Sequence, residues 1–215
     1  MLNIASYIDH TALKADTTLS TVETLCQEAV EHQFASVCVN SHFTSAVVSL
    51  LKNTPVKACI VTGFPLGANL PEVKLFETQK VLDLGAQEVD TVMNVAAAIA
   101  GQWDIIYNEI VPIAESCKKS GAVLKVILET CLLNRSQIVK ACEVIVAAGA
   151  DFVKTSTGFS HAGANLETVT LMKQTVGNSA MVKASGGIKT NDDALKMIEA
   201  GADRIGSSSS VRLLS

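Results

Sequence analysis

Aromatic side chains are scarce in this chain, 4% of 215 residues with a single tryptophan, so the core cannot be built on large rings. With 48% hydrophobic residues it must instead be aliphatic and alanine-rich, which suits helices packed on a sheet better than an all-β sandwich. Charge of one sign is also lacking. A net charge of −4 without a basic cluster argues against nucleic acid or an anionic membrane as the main partner. The six cysteines, Cys26, Cys38, Cys59, Cys117, Cys131 and Cys142, form no CxxC pair and read as small core residues in a reducing compartment. His10, His32, His42 and His161 show no HxH or HExxH spacing, so no metal site is expected. No basic flank precedes a long apolar stretch, and Val95 to Ala100 is far too short to span a bilayer, which makes a cytoplasmic protein the default.

A strand-helix unit recurs along the chain. Tyr7-Ile-Asp-His-Thr-Ala-Leu13 leads through a Thr/Ser-rich cap into a helical pattern at Val22, Leu25, Cys26, Ala29 and Val30. Ser36-Val-Cys-Val-Asn40 and Lys57-Ala-Cys-Ile-Val-Thr-Gly63 open the next two units, and the third helix spans about Pro71 to Leu84. The unit then acquires a signature, Gly-Ala followed by a short apolar strand, at Gly85-Ala86, Gly149-Ala150 and Gly201-Ala202. Glycine ends the helix and the strand starts at once. Ser120-Gly-Ala-Val-Leu-Lys-Val-Ile-Leu-Glu129 and Met181-Val-Lys-Ala-Ser-Gly-Gly187 supply the remaining strands. Eight strands, near residues 7, 36, 57, 88, 123, 152, 181 and 204, with no linker between them, predict a single-domain parallel (β/α)₈ TIM barrel over residues 1–215. The final helix is expected to be short or missing. A doubly wound open sheet is the runner-up, weakened because no Gly-rich dinucleotide fingerprint follows the first strand.

Lysine in a strand apolar on both faces is costly, since an ammonium there meets neither water nor an obvious counter-ion. Lys154, in Phe152-Val-Lys-Thr-Ser-Thr-Gly-Phe159, is such a residue. Burial favours its neutral amine, a nucleophile towards carbonyls, so it is read as a Schiff-base former. Period two groups Asp90 with Val92 and Asn94, Phe152 with Lys154 and Ser156, and Lys183 with Ser185. If these faces point inward, Asp90, Lys154 and Lys183 share one cavity, where Lys183 would tune Lys154 and Asp90 would move protons. The competing reading is an ion-pair network that merely fills the barrel. Lys125 and Glu129 fall on one face of strand five, either tuning the site or pairing with each other. His10 is expected to bond locally near the mouth, and Cys38 to be an inert core thiol that could face the cavity. The loops after strands seven and eight, Ser185-Gly-Gly-Ile-Lys-Thr-Asn191 and Gly206-Ser-Ser-Ser-Ser210, are rich in N–H and hydroxyl donors at the usual phosphate position of such barrels.

Ile8-Asp-His-Thr-Ala-Leu-Lys14, Val37-Cys-Val-Asn40, Gly63-Phe-Pro-Leu-Gly67, Glu88-Val-Asp90, Phe152-Val-Lys-Thr-Ser-Thr-Gly-Phe159, Val182-Lys-Ala-Ser-Gly-Gly-Ile188 and Arg204-Ile-Gly206 together resemble the deoxyribose-phosphate aldolases, class I aldolases on a (β/α)₈ barrel. The resemblance implies Lys154 as the Schiff-base lysine, Lys183 as the second lysine and Asp90 as the acid of the proton relay. It also implies a small phosphosugar substrate held by Gly186, Gly187, Ser207 and Ser208, no cofactor and no metal, with a homodimer as the assembly considered. The chain departs from the family pattern at Val95-Ala-Ala after Asn94, at His161-Ala-Gly-Ala, at Ser210, and in ending Val-Arg-Leu-Leu-Ser without the tyrosine some members use in proton transfer. The rivals are a transaldolase-like enzyme for another phosphosugar and a non-catalytic phosphosugar-binding barrel.

Overall fold

The computed structural model describes residues 3–214. Eight parallel strands close into a barrel in chain order, with β8 beside β1. They are β1 (Ile8–Ala12), β2 (Ser36–Asn40), β3 (Lys57–Thr62), β4 (Glu88–Val92), β5 (Val123–Ile127), β6 (Phe152–Lys154), β7 (Met181–Ser185) and β8 (Arg204–Ser207). The helices outside are α1 (Leu19–His32), α2 (Thr44–Leu50), α3 (Pro71–Asp83), α4 (Val95–Ile99), α5 (Trp103–Ser120), α6 (Arg135–Ala147), α7 (Leu166–Val176) and α8 (Asn191–Glu199). After β8 comes only a 3₁₀ turn at Ser210–Leu214, the short final helix anticipated from the sequence. The connection from β4 to β5 carries two helices, because Asn94 caps a first short one, accepting from the Ala97 N–H at 3.0 Å. Asn94 therefore does not continue the inward face of Asp90, and the Val-Ala-Ala departure is that helix.

The Gly-Ala repeat performs one structural task three times. Gly85, Gly149 and Gly201 take positive φ and, with the alanine that follows each, bond back to the last turn of the preceding helix. The next side chain then reaches to the base of the preceding strand: Gln87 accepts from Ala58 N–H, Asp151 from Leu124 N–H and Asp203 from Val182 N–H. The residue just before each new strand is thereby tied to the second residue of the preceding strand.

The main apolar core lies between barrel and helices, not within the barrel. Even there one charged pair is enclosed. Lys74 of α3 donates to Glu109 of α5 and to the Val92 carbonyl at the end of β4, both at 2.8 Å. Burial pulls Lys74 down and pushes Glu109 up from their ordinary pKa values, each opposed by the other's charge. Inside the barrel the middle layers are polar, flanked by small apolar clusters at Leu13, Cys38, Cys59 and Val61 and at Val92, Val95 and Ile127.

Candidate active site

Strands four, six and seven bring Asp90, Lys154 and Lys183 to one point. The ammonium nitrogens of Lys154 and Lys183 each lie 2.7 Å from the same oxygen, Asp90 Oδ2. The expectation that Lys154 lacks a counter-ion is therefore corrected: Asp90 supplies it from two strands away, 64 residues earlier in the chain. Register explains the pairing, since Lys154 and Lys183 stand directly opposite each other on neighbouring strands.

The charge array extends further than these three residues. Lys183 is also 2.5 Å from Asp9 Oδ2, and Arg204 donates to Asp9 at 2.9 Å and to Glu88 at 2.6 Å. Lys125 donates to Glu88 at 2.6 Å and to Asp90 Oδ1 at 2.9 Å. Lys125 thus joins the Asp90 carboxylate and does not pair with Glu129, which bonds instead to Thr157. Burial by itself would raise the pKa of Asp90 and Asp9. Lys125, Lys154 and Lys183 hold Asp90 well below the carboxylate range, and Lys183, Arg204 and Lys125 do the same for Asp9. Burial would likewise neutralise Lys183, but Asp9 and Asp90 outweigh it and keep it an ammonium above the usual lysine range. Lys183 is a fixed cation with two carboxylates.

Asp9, Glu88 and Arg204 were not singled out by sequence reasoning. Asp9 sits in a mixed segment with no apolar run to make a charge look misplaced. Period two also fails beyond Lys154, where β6 ends. Ser156 Oγ is buried with no hydrogen-bond partner among the described residues, and Thr157 reaches the cavity in its place. His10 points away from the site, its ring nitrogens against Ser210 Oγ at 2.8 Å and Glu28 Oε2 at 2.7 Å. Cys38 does face inward beside Cys59; a hydrogen bond from Cys59 lowers its pKa against the effect of burial, helped by Lys183. The sulfurs of Cys38 and Cys59 and an Asp90 oxygen lie within 4.8 Å of one another, the only such donor set among the described residues. Lys125 Nζ lies 3.4 Å from Cys59 Sγ and 2.9 Å from Asp90 Oδ1, so an ammonium already contacts two of these three donors.

Above the lysines opens a cavity of about 800 Å³. Lys154 reaches its floor, while Gly186, Gly187, Ser207 and Ser208 line one side, so the two loops singled out from sequence meet at one place. Lys14, Lys189 and Arg212 add positive charge to the same lining and were missed. Gly186 and Gly187 adopt φ of +85° and +83°, a region that disfavours any side chain. A Cβ on Gly163 would lie 2.2 Å from the Gly186 carbonyl oxygen, so the glycine within His161-Ala-Gly-Ala lets that loop lie against the turn. Gly206 has a similar reason: a Cβ there would approach Lys183 Cε to 3.3 Å.

Residues 3–210 match the model of the DeoC/LacD family aldolases. The chain is 53% identical over 208 residues to deoxyribose-phosphate aldolase 1 of Vibrio vulnificus, covering 97% of this chain and 94% of that one. It is 51% identical over 214 residues to deoxyribose-phosphate aldolase of a Thermoanaerobacter species, covering 99% and 96%. Among solved structures, the tetrameric deoxyribose phosphate aldolase of Aeropyrum pernix superposes with a TM-score of 0.93 at 38% identity, covering 98% of this chain and 89% of that one. No described helix is long and apolar enough to cross a membrane. With two strand-borne lysines on one carboxylate beneath a donor-rich mouth, and relatives this similar over nearly their whole length, the chain belongs to the DeoC/LacD family of aldolases.

Proposed function

We propose that the enzyme reversibly cleaves 2-deoxy-D-ribose 5-phosphate to acetaldehyde and D-glyceraldehyde 3-phosphate, the reaction of the enzymes it resembles. The observation that carries this reading is the shared oxygen: two lysines 2.7 Å from Asp90 Oδ2, one of them at the floor of the cavity. Lys183 is held between two carboxylates and does not line the cavity, whereas Lys154 has one carboxylate and does. Access therefore makes Lys154 the nucleophile. Its free amine adds to the sugar carbonyl, and loss of water leaves an iminium. Removal of the C3 hydroxyl proton lets the C2–C3 bond break, its electron pair passing into the iminium to give an enamine and free glyceraldehyde 3-phosphate. Protonation of the enamine and hydrolysis release acetaldehyde and restore Lys154.

Asp90 and the Lys183 ammonium take and return these protons, and the positive charge of Lys183 stabilises the transient oxyanion. Gly186, Gly187, Ser207 and Ser208 are assigned to the phosphate, with Lys14, Lys189 and Arg212 as local cations. The reading requires the phosphosugar as partner and no cofactor. We also propose that two copies associate and that residues 1–215 form one domain.

Borohydride reduction in the presence of acetaldehyde tests the assignment. An adduct is expected on the peptide carrying Lys154, absent in Lys154→Leu, together with acetaldehyde release from deoxyribose 5-phosphate in a coupled assay. An adduct on Lys183 would reverse the roles of the two lysines. Binding of the sugar phosphate without acetaldehyde release would make this a binding barrel.

A further inference from the structure

Glu129 follows β5 in the left-handed backbone region, with φ 56° and ψ 61°, a strained conformation for a residue with a side chain. It is buried, at 4% exposure, and its carboxylate does not enter the charge array around Asp90. Instead it receives the Thr157 hydroxyl on Oε2, and the Thr157 N–H lies 3.4 and 3.3 Å from its two oxygens. The Cys131 thiol approaches Oε1 at 3.9 Å. Thr157 stands three residues beyond Lys154, lines the cavity and accepts the Phe159 N–H on Oγ1 at 3.0 Å.

A carboxylate can only accept hydrogen bonds, so the single proton of the Thr157 hydroxyl is committed to Glu129. Of the two lone pairs on Thr157 Oγ1, one receives Phe159 N–H. The other remains for a donor, and because Thr157 lines the cavity a group on a bound substrate can supply it. A substrate hydroxyl matches such a group, whereas a methylene leaves it unpaired. Because β6 ends at Lys154, the backbone ladder does not itself orient Thr157; the Glu129 carboxylate does.

We infer that Glu129 is a positioning residue that, through Thr157, makes one wall of the cavity a hydrogen-bond acceptor and so selects hydroxy aldehydes over their deoxy analogues. The inference rests on the aldolase reading and deepens it. It is tested in the synthetic direction, with acetaldehyde as donor and either glyceraldehyde 3-phosphate or 3-oxopropyl phosphate, which lacks only the C2 hydroxyl, as acceptor. Glutamine at position 129 can offer its NH₂ to Thr157 Oγ1 and turn the hydroxyl proton towards the cavity. Glu129→Gln is therefore expected to lower kcat/KM for the hydroxy aldehyde about tenfold or more while changing it for the deoxy aldehyde by less than about twofold.

Thr157→Val, which removes the acceptor and nearly keeps the volume, should produce the same loss of preference. The double variant should lose no more than Thr157→Val alone. In all three variants the borohydride-trapped acetaldehyde adduct on Lys154 should persist. Equal losses on the two aldehydes, or an unchanged preference, with the adduct intact overturns this inference alone. Absence of the adduct in the wild-type protein overturns the aldolase reading and this inference with it.

Discussion

Asp9 sets the charge balance inside the barrel, because it neutralises both Lys183 and Arg204. Its pKa lies below the ordinary aspartate value, so its contribution to stability is present above about pH 4 and is lost as pH falls through its folded value. The pKa of Lys183 is raised, so its contribution is present below about pH 10 and is lost as pH rises through its folded value. Between those limits the pair is intact. Asp9→Asn leaves buried Lys183 and partly buried Arg204 each short of a partner and should cost about 3–5 kcal/mol at pH 7 in a denaturant titration. The alkaline limb of the kcat/KM profile should move to lower pH, since Lys183 keeps only Asp90. A profile identical to wild type would exclude Asp9 from the site. Lys154, Lys183 and Asp90 were legible in the sequence because a charge inside a β-branched run has few structural explanations. Asp9 was not, because Ile8-Asp-His-Thr contains two further polar residues, and nothing local says which of them faces inward.

Among the elements, the turn after β7 carries the sharpest test. The Gly-Gly pair was readable as a donor-rich loop; that Gly163 must be a glycine to let the β6 loop lie on it was not, since a contact between residues 163 and 186 has no local signature. A Cβ on Gly187 meets nothing within 4 Å, so a larger side chain would project into open space while its φ of +83° imposes strain of about 1–3 kcal/mol. Gly187→Val should therefore displace a phosphate held by this turn, lowering kcat/KM for deoxyribose 5-phosphate by roughly a hundredfold. The effect on unphosphorylated deoxyribose should be much smaller. Equal losses on both sugars would put the phosphate elsewhere. All eight strands fall where the repeat of short apolar segments put them. The fourth connection carries two helices because Gly101, at positive φ, and Gln102 separate the alanine-rich Val95–Ile99 from Trp103–Ser120.

For the whole molecule, the proposed association needs an exposed apolar surface. Leu66, Leu70 and Phe76, on the loop before α3 and its exposed side, are 74%, 69% and 61% exposed, an apolar group of the kind that marks contact between proteins. Sedimentation of the wild type should show twice the 22.6 kDa chain mass, and Phe76→Glu should return it towards the monomer. A monomeric wild type would end the proposal. Fold class was the most legible property at this scale and assembly the least, because a repeat reports on neighbours within the chain, whereas a surface says little until the helices have been placed. The closure of the barrel bears on synthesis as well. Arg204 reaches Asp9 across 195 positions of chain, so a polypeptide still emerging from the ribosome has Asp9 and Glu88 in place before Arg204, one of the cations that balance them, exists. Until the eighth strand is made the barrel cannot close dry.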